Sequence, residues 1–515
     1  MSSFDEPTVD VVVVGAGHNS LITAAYLAKA GLEVAVLEAK DIIGGNTVTE
    51  ELTLPGWQHD SCSSAHAVIQ NNPVIRDDEL GLIADYGLRY VYTDPAAVLP
   101  LDEGDAVVLH RSVERTADEI ARFSAKDAQR FTTLVDEWDK ELRYAHRRWN
   151  TGELTDAPGD LKYEELCRRS AYDVVHEEFE HPVTRRLFLW MGFANFQPPK
   201  RPGTGLLPIS ILKGRLDYGW ATPVGGSGAL PAALAKLLLD HGGQIFTNAG
   251  VSEILASHGR ADGVRTHDGR IVRARKAVVS SAHVRTMAAM FEASACPPDL
   301  VKAAENWRPG IGLFAVHAAL HKDITYRLGD GSEVYSTSGG LGGPEGTLRQ
   351  VEGCHSGEPE FDDPWMLLVS STVADPDRAA TGATFKILTA APAELAGGRS
   401  WEEFGPQYAQ HLLTLAGRHV QGLDSNNIAA IRHETPTSLA TRSPSNIGGS
   451  CHGGEFVTAD GGVVPGLQQW ASSLDGLFYT GSMAHPGGSV SGWPGRNAAR
   501  AVLSAVGIDP VTVMS

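Results

Sequence analysis

The fold of this chain is decided by residues 10–46, which read DVVVVGAGHNSLITAAYLAKAGLEVAVLEAKDIIGGN. Residues 11–14 form an apolar, β-branched run, the composition of a strand that is buried on both faces. Residues 21–28 then carry apolar side chains at helical spacing, and Gly31 is placed to end that helix. A second strand, predicted over residues 33–37, completes a strand–helix–strand unit. The stretch therefore predicts a parallel strand pair of an α/β fold.

The turn between the first strand and the helix has the chemistry of a dinucleotide site. Gly15 and Gly17 let the backbone approach a pyrophosphate, and the helix N-terminus offers unpaired N–H groups to it. Glu38, after the second strand, can accept hydrogen bonds from a ribose. Ser20 stands where the usual fingerprint has its third glycine, which puts one small side chain into the helix–strand contact. The whole pattern predicts dinucleotide binding, and an ordinary βα turn is the alternative.

Composition and charge disfavour several classes of function. The 515 residues suffice for about three domain-sized units. The hydrophobic content of 42% and charged content of 20% are typical of a globular protein. A net charge of −19 opposes binding to nucleic acid or to an anionic membrane surface. No apolar stretch precedes the first strand, and no run reaches the ~20 residues of a membrane span. We therefore expect a cytoplasmic protein with no integral membrane association and no nucleic-acid partner.

Several motifs that would indicate other chemistry are incomplete. The five cysteines include no C-x-x-C pair, so neither a disulfide framework nor a zinc site is expected. His176 and His181 are five residues apart and would not share a helix face, so we expect no metal there. No Gly-x-Ser-x-Gly elbow of a hydrolase occurs. Because a second glycine fingerprint is also missing, the sequence predicts a single bound dinucleotide.

The remaining pattern gives a coarse set of elements. Residues 72–222 have a helical texture, with an amphipathic stripe over residues 131–145 that predicts a surface helix. The Gly-rich residues 338–346 do not form a second nucleotide loop, since no apolar strand leads into them and Pro344 is poorly placed for a following helix; they are predicted as a flexible turn. The other predicted elements are helices over residues 230–240, 401–416 and 498–506, strands over residues 244–247, 251–255, 277–280, 314–320 and 365–371, and a hairpin at residues 267–270.

Three separated blocks together carry a family resemblance. The first combines the Gly15-Ala-Gly17-His-Asn loop with Glu38 and the pair Gly44-Gly45. The second is WATPVGG at residues 220–226, and the third is GSMAHPGGSVSGWPGRNAA at residues 481–499. With these blocks the chain resembles the phytoene desaturase-like FAD oxidoreductases of the flavin amine oxidase group. It is most similar to the soluble bacterial branch that includes the pyridine nucleotide-disulfide oxidoreductase domain proteins.

The resemblance implies FAD rather than NAD and a discontinuous architecture. The fold class would be α/β (α+β), a Rossmann-like FAD-binding domain with an inserted substrate-binding domain. The FAD-binding domain would comprise residues 1–72, 215–296 and 440–515. Residues 73–214 and 297–439 would form the substrate-binding domain.

The resemblance and the N-terminal loop assign a set of residues to the cofactor. Gly15 and Gly17 would face the pyrophosphate, Glu38 the adenosine ribose, and the Val251 backbone the adenine. In related proteins a glycine often stands at the position of Ser489, and a smaller residue at that of Trp493. The complete cofactor-binding set is Gly15, Gly17, His18, Asn19, Ser20, Glu38, Ala39, Gly44, Gly45, Asn46, Val251, Gly481, Ser482, Val490 and Ser491. We expect non-covalent FAD, with a covalent link through Cys451 or His452 as the alternative.

The expected reaction is hydride transfer from a small or moderately apolar organic substrate to flavin N5. A C–C desaturation also needs a proton acceptor, for which the candidates are His485, His66 and His452; the motif around His485 favours that residue. The predicted pocket wall contains Trp220, Trp493 and Phe196.

Several alternatives remain open at the level of the sequence. The reaction could instead be amine oxidation, or an isomerisation without net redox change. A non-enzyme similar to the Rab escort and GDP-dissociation-inhibitor proteins is a further alternative. The electron acceptor would be oxygen or a quinone, and homo-oligomerisation is left open.

Overall fold

The computed structural model describes residues 7–101, 104–456, 467 and 469–515. The helices are α1 (His18–Lys29), α2 (Pro73–Arg76), α3 (Val113–Ala121), α4 (Ala125–Glu137), α5 (Arg143–Asn150), α6 (Pro158–Arg168), α7 (Ala171–Glu178), α8 (Pro182–Gly192), α9 (Leu207–Tyr218), α10 (Ala229–Asp240), α11 (Val284–Ala288), α12 (Pro298–Asn306), α13 (Pro344–Ser356), α14 (Ser371–Ala374), α15 (Trp401–Ala416), α16 (Pro436–Arg442) and α17 (Trp493–Ala505).

The strands fall mostly in runs before and after the helical segment α3–α9. They are β1 (Thr8–Val14), β2 (Val34–Leu37), β3 (Thr49–Glu50), β4 (His59–Asp60), β5 (Tyr90–Thr93), β6 (Ala97–Pro100), β7 (Ala106–Leu109), β8 (Trp220–Pro223), β9 (Gln244–Phe246), β10 (Val251–Ser257), β11 (Arg260–Thr266), β12 (Ile271–Ser280), β13 (Gly312–Leu320), β14 (Tyr326–Arg327), β15 (Glu333–Val334), β16 (Ser338–Leu341), β17 (Met366–Val369), β18 (Ala383–Ala391), β19 (Ile428–Glu434) and β20 (Leu477–Tyr479).

The first sheet contains the N-terminal strand–helix–strand unit. Its strand order is β10-β11-β12-β1-β2-β9, with β20 paired to β12. The pairs β1–β12, β1–β2, β2–β9 and β12–β20 are parallel, while β10, β11 and β12 form an antiparallel meander. The D-G hairpin predicted at residues 267–270 connects β11 to β12 and is confirmed.

Both faces of the central strands are buried, as the apolar run predicted. Val11 and Val13 pack with α1, α10 and α17 on one face. Val12 and Val14, one residue out of phase, pack against the meander and α11 on the other. This arrangement confirms the Rossmann-like α/β fold.

The second sheet is mostly antiparallel. Its strand order is β19-β13-β18-β17-β16-β6-β7. The helices α4, α8 and α9 cover one of its faces, and α15 covers the other. Every residue of β13 and β18 is buried, because both faces of these strands are covered.

Residues 338–346 were predicted as a flexible turn, and that prediction is wrong. They contain the buried strand β16 and the start of α13. A Cβ at Gly340 would lie 2.0 Å from Trp190 Cε2, and one at Gly339 would lie 2.2 Å from the Tyr326 hydroxyl. Large neighbours thus occupy the side-chain space of this strand. Pro344 lies in the first turn of α13, where the missing N–H costs no hydrogen bond.

The amphipathic stripe over residues 131–145 is not one regular helix. It begins in α4, passes through a π-helical turn over Trp138–Leu142 and continues in α5. Phe131, Trp138, Leu142 and Ala145 are nevertheless all buried, as their spacing predicted.

A buried ion pair connects β4 to the turn that precedes β18. Arg378 Nη2 lies 3.0 Å from Asp60 Oδ1, and both side chains are 1% exposed. Nearby, the buried Lys386 ammonium on β18 donates to the carbonyl oxygens of Asp60 (2.9 Å) and Cys62 (2.8 Å). These contacts fix the segment after β4 against the second sheet, and this segment forms part of the pocket described next.

Candidate functional site

One large pocket lies between the two sheets. Its volume is about 800 Å³, and it extends from the N-terminus of α1 to side chains of β13, β17 and β18. Of the residues predicted to bind the cofactor, those lining it are Gly15, Gly17, His18, Asn19, Ser20, Glu38, Ala39, Gly44, Gly45, Asn46, Val251, Gly481, Ser482 and Val490. The fold thus brings residues from both ends of the sequence into one cavity.

The two loop glycines are required for different reasons. Gly15 has φ +91°, and a Cβ there would lie 2.4 Å from Ser281 Oγ. Gly17 has the ordinary φ of −66°, and a Cβ there would meet nothing within 4 Å. Gly15 is therefore needed by the backbone, whereas Gly17 keeps space open inside the pocket.

The start of α1 faces this open space. Gly17 is the N-cap, and no side chain caps the helix there. The first amide groups of the helix have no intrahelical acceptor and carry the positive end of the helix dipole. Together with the space at Gly17, they form a place for a phosphate group.

Glu38 holds the loop and the end of β2 together. The Ala16 amide donates to Glu38 Oε2 (2.7 Å), and the Lys40 amide donates to Oε1 (3.0 Å). Ser20, the serine in place of the third glycine, is fully buried and its hydroxyl has no partner among the described residues. The close helix contact is made elsewhere, since a Cβ at Gly495 of α17 would lie 2.4 Å from the Asn19 carbonyl oxygen.

The C-terminal block contributes backbone to the pocket wall. Ser489 lines the pocket with φ +85°, a conformation that glycine adopts most easily. Ser491 is not among the lining residues, and its carbonyl oxygen accepts a hydrogen bond from Asn72 Nδ2 (3.0 Å). Trp493 does not line the pocket either; it is buried at the start of α17.

Of the three histidines predicted as proton acceptors, His452 lines the pocket. Its ring centroid is 5.7 Å from that of Phe196, another lining residue. Burial lowers the pKa of His452 to about 4, so the ring is neutral at pH 7. Its Nδ1 is buried and has no partner among the described residues. A neutral imidazole with an unpartnered nitrogen can accept a proton, and burial makes it a weaker base than an exposed histidine.

The other two histidines are engaged outside the pocket lining. His66 is fully buried, with Nδ1 3.1 Å from the Tyr90 hydroxyl and Nε2 3.1 Å from Ser227 Oγ. His485 has Nε2 2.6 Å from the Trp149 carbonyl oxygen, and its ring contacts the Trp149 ring edge-on. Burial lowers the pKa of both rings. Both rings thus contact residues outside the lining, and His485 Nδ1 is buried without a partner among the described residues.

The end of the pocket farthest from the glycine loop is apolar. Its wall includes the predicted residues Phe196 and Trp220, and side chains of the second sheet. Phe196 has φ +52°, a strained conformation for a large side chain that the surrounding contacts must stabilise. The aliphatic members of this wall are Ile211, Leu313, Leu367 and Leu388.

Arg215 is a pocket residue that the sequence did not reveal. It lies on α9, four residues after Ile211 and therefore on the same helix face. Its guanidinium carbon lies 4.2 Å from the centroid of the Trp220 ring. Burial lowers the pKa of Arg215 to about 10, so the group remains charged at pH 7. An arginine within a helix has no local sequence signal that distinguishes it from a surface residue.

Two cysteines that are far apart in the sequence also meet in the wall. Cys62 Sγ lies 3.4 Å from Cys451 Sγ. The hydrogen bond between the thiols, together with burial, raises the pKa of Cys451. The thiol form of Cys451 is thus favoured, which makes it a poor nucleophile.

Most of the chain matches a known protein family. A family model described as flavin containing amine oxidoreductase matches residues 21–376. The chain belongs to the flavin-containing amine oxidoreductases. This flavin amine oxidoreductase is therefore an FAD-dependent enzyme, which confirms the expected cofactor class and the oxidoreductase class.

The flavin amine oxidoreductase has curated relatives along nearly its whole length. A limonene dehydrogenase subunit of Castellaniella defragrans is 28% identical over 97% of this chain and 95% of its own length. Pyridine nucleotide-disulfide oxidoreductase domain-containing protein 2 of Mus musculus is also 28% identical, over 97% of this chain and 94% of its own. Phytoene desaturases are further relatives. The expected resemblance is confirmed.

Solved structures of the same fold include amine oxidases. Cyclohexylamine oxidase from Brevibacterium oxydans superposes with a TM-score of 0.60 and 17% identity, covering 97% of this chain and all of that one. At this identity the likeness shows the shared fold.

The described residues contain no group of three or more His, Cys, Asp or Glu side chains that could hold a metal ion. In the same part of the flavin amine oxidoreductase, no helix has the length and apolar character needed to cross a bilayer.

Proposed function

We propose that this flavin amine oxidoreductase removes a hydride from carbon of a small or moderately apolar organic substrate, most readily in a C–C desaturation. The observation that carries the proposal is the continuity of the pocket. A nucleotide loop at one end and an apolar chamber at the other share one cavity of about 800 Å³. A long cofactor and a substrate can therefore meet inside it.

The pocket residues fit FAD. The open space at Gly17 and the uncapped start of α1 suit the pyrophosphate, and Glu38 is placed near them for a ribose. FAD, when bound, supplies the hydride-accepting N5 atom. We propose the domain division stated above, in which residues 1–72, 215–296 and 440–515 bind the cofactor, and that the cofactor is held without a covalent bond. The raised pKa of Cys451 and the lowered pKa of His452 leave both side chains neutral at pH 7.

His452 is the proposed proton acceptor. A desaturation removes a hydride from one carbon and a proton from its neighbour, so a base must lie in the substrate chamber. His452 is neutral at pH 7 and lies next to Phe196 in the wall. The apolar side chains around it exclude water and keep the imidazole available.

Amine oxidation is the second reaction to consider, since amine oxidases share the fold. A primary amine is mostly protonated at neutral pH, and the chamber already contains the buried cation of Arg215. Repulsion between like charges in a low-dielectric pocket disfavours that substrate. Desaturation of a neutral or anionic compound avoids this cost.

The deciding experiment is an anaerobic screen of candidate substrates for bleaching of the bound flavin. Substrates with an activated C–H bond next to a second C–H should bleach it, while the matched amines should not. Release of peroxide on aerobic turnover would identify an oxidase; a requirement for a quinone would identify a dehydrogenase. Bleaching by amines alone would replace the proposal with amine oxidation, and turnover without bleaching or an acceptor would replace it with isomerisation.

Acid precipitation of the same preparation tests the proposed non-covalent link. All flavin should appear in the supernatant. Flavin that stays in the pellet of wild type but is released from the Cys451→Ala variant would show a thioether instead.

A further inference from the structure

The apolar end of the pocket contains a positive charge that the protein itself does not neutralise. Arg215 is 9% exposed, and its Nη1 is buried without a hydrogen-bond partner among the described residues. No carboxylate of the described residues forms an ion pair with it; burial is the cause of its lowered pKa. A buried cation without an anion is unfavourable, so such a group is retained where a ligand completes it.

Other cationic side chains of the lining differ in this respect. Arg442 pairs with Glu50 and with Glu434 (3.1 Å to the latter). Lys40 is exposed to solvent and donates to the Thr441 carbonyl oxygen. Their charges are compensated by protein or water. The Arg215 charge, by contrast, contacts only the face of the Trp220 ring among the described residues.

A second unused donor lies beside Arg215. Trp220 is 2% exposed, and its indole Nε1 is buried without a partner among the described residues. The Arg215 guanidinium stacks on the same ring at 4.2 Å. Both groups can only donate hydrogen bonds, so what fits them is an acceptor. The positive charge selects an anionic acceptor over a neutral one.

We propose that Arg215 and Trp220 form a carboxylate subsite, and that the substrate class is organic acids with an apolar body. A carboxylate has two oxygens that match the planar fork of a guanidinium, which explains an arginine rather than a lysine at this position. The body of the acid would lie against the aliphatic side chains of the same wall, of which Ile211 is one turn from Arg215.

The subsite also serves the proposed chemistry. A carboxylate fixed at Arg215 orients the rest of the molecule in the chamber that contains His452. This role rests on the proposed dehydrogenase function, but binding of the acid does not. Affinity is therefore measured without turnover, and it separates the failure of the subsite from the failure of the proposed reaction.

The test compares benzoate with benzamide, its neutral isostere, by titration calorimetry on the flavin-loaded enzyme. Wild type should bind benzoate at least about tenfold more tightly than benzamide, since a charge-assisted hydrogen bond is involved. Arg215→Gln should weaken benzoate by about tenfold to a hundredfold and leave benzamide nearly unchanged. Arg215→Lys should recover part of the difference, because it restores the charge without the fork.

Arg111→Gln is the matched control. Arg111 also lies over an aromatic ring, Tyr92, but is exposed and does not line the pocket. Its removal should leave benzoate affinity unchanged. Trp220→Phe keeps an aromatic ring and removes the N–H, and it should weaken the binding of benzoate a few-fold.

Three results would overturn the subsite. One is equal affinity of wild type for benzoate and benzamide, which needs no variant and so remains decisive if Arg215→Gln does not fold. The second is unchanged benzoate affinity in Arg215→Gln and Arg215→Lys. The third is a change of the flavin absorbance in these variants with benzoate affinity intact, which would assign Arg215 to the cofactor.

Discussion

At the scale of single residues, the pocket assigns different tasks to side chains that look equivalent in the sequence. Gly15 and Gly17 belong to one motif, but the first is required by its φ of +91° and the second by the space beside it. His452 and His485 both lie in glycine-rich segments, but their rings have different surroundings. Substitutions can separate these tasks.

Alanine substitutions at the two glycines should have different effects on stability and on flavin binding. Gly17→Ala should change the free energy of unfolding of the flavin-free protein by less than about 0.5 kcal/mol, because its backbone is ordinary and its Cβ meets nothing. It should lower the flavin content, since the methyl group occupies space next to the proposed pyrophosphate. Gly15→Ala should cost about 1–3 kcal/mol of stability even without flavin, through its φ and the contact with Ser281. Urea unfolding and the flavin-to-protein ratio measure both; full flavin occupancy in Gly17→Ala would contradict the assignment.

The histidine variants test the proton acceptor. With a substrate identified by flavin bleaching, His452→Gln should slow flavin reduction by about 10²–10⁴-fold while the flavin spectrum stays normal. His485→Gln should leave the reduction rate of bound flavin nearly unchanged and lower the melting temperature, because the hydrogen bond to the Trp149 carbonyl is weakened. Stopped-flow absorbance and thermal unfolding distinguish them. Slow flavin reduction in His485→Gln together with a normal rate in His452→Gln would reverse the assignment.

At the scale of elements, the glycine content of residues 338–346 predicts a turn, but tertiary contacts make Ser338–Leu341 within this segment a strand. The strand β16 carries glycines because Trp190 and Tyr326 occupy the space beside it. The hairpin between β11 and β12 and the helix α15 were predicted well, since a D-G turn and a helical period are local signals. The π-helical turn between α4 and α5 has no such local signal.

A pair of glycine-to-alanine changes tests this interpretation of β16. Gly340→Ala should destabilise the protein by about 1–3 kcal/mol, because its Cβ would lie 2.0 Å from the Trp190 ring. Gly214→Ala, in α9, meets nothing within 4 Å and should stabilise by up to about 1 kcal/mol through helix propensity. Both values come from urea unfolding of the flavin-free chain. A neutral Gly340→Ala would mean that β16 packs less tightly than described.

At the scale of the whole molecule, several histidines are buried, in the pocket wall and elsewhere. Burial lowers the pKa of His18, His146, His283 and His452 to about 4 each. Their unfolded pKa is about 6.5, so between these values the unfolded chain binds more protons than the folded one. Stability is therefore complete above about pH 6.5 and is lost as the pH falls toward 4.

Because unfolding takes up protons in this pH range, the stability of the protein should fall measurably in acid. Each of these histidines contributes a slope of up to about 1.4 kcal/mol per pH unit within that window. We expect the urea midpoint to be flat from pH 7 to 8 and to drop steeply between pH 6 and 5. The His283→Gln variant removes one of these histidines and keeps the proposed base His452, so it should make that drop less steep. A midpoint that is constant down to pH 5 would show that these rings are charged in the folded protein.

The sequence by itself determined the strand–helix–strand unit, the dinucleotide loop and the family, because these depend on residues that are close in the chain or on quoted blocks. The tertiary structure decided which histidine shares the pocket with the glycine loop, and it brought Arg215 and Cys451 to the wall that contains the predicted Trp220. Burial and ion pairing are properties of surroundings assembled from distant segments, so no local pattern encodes that the Arg215 charge is uncompensated. The glycine-loop end of the pocket could thus be predicted from the sequence, whereas the composition of its apolar end was decided by packing between the two sheets.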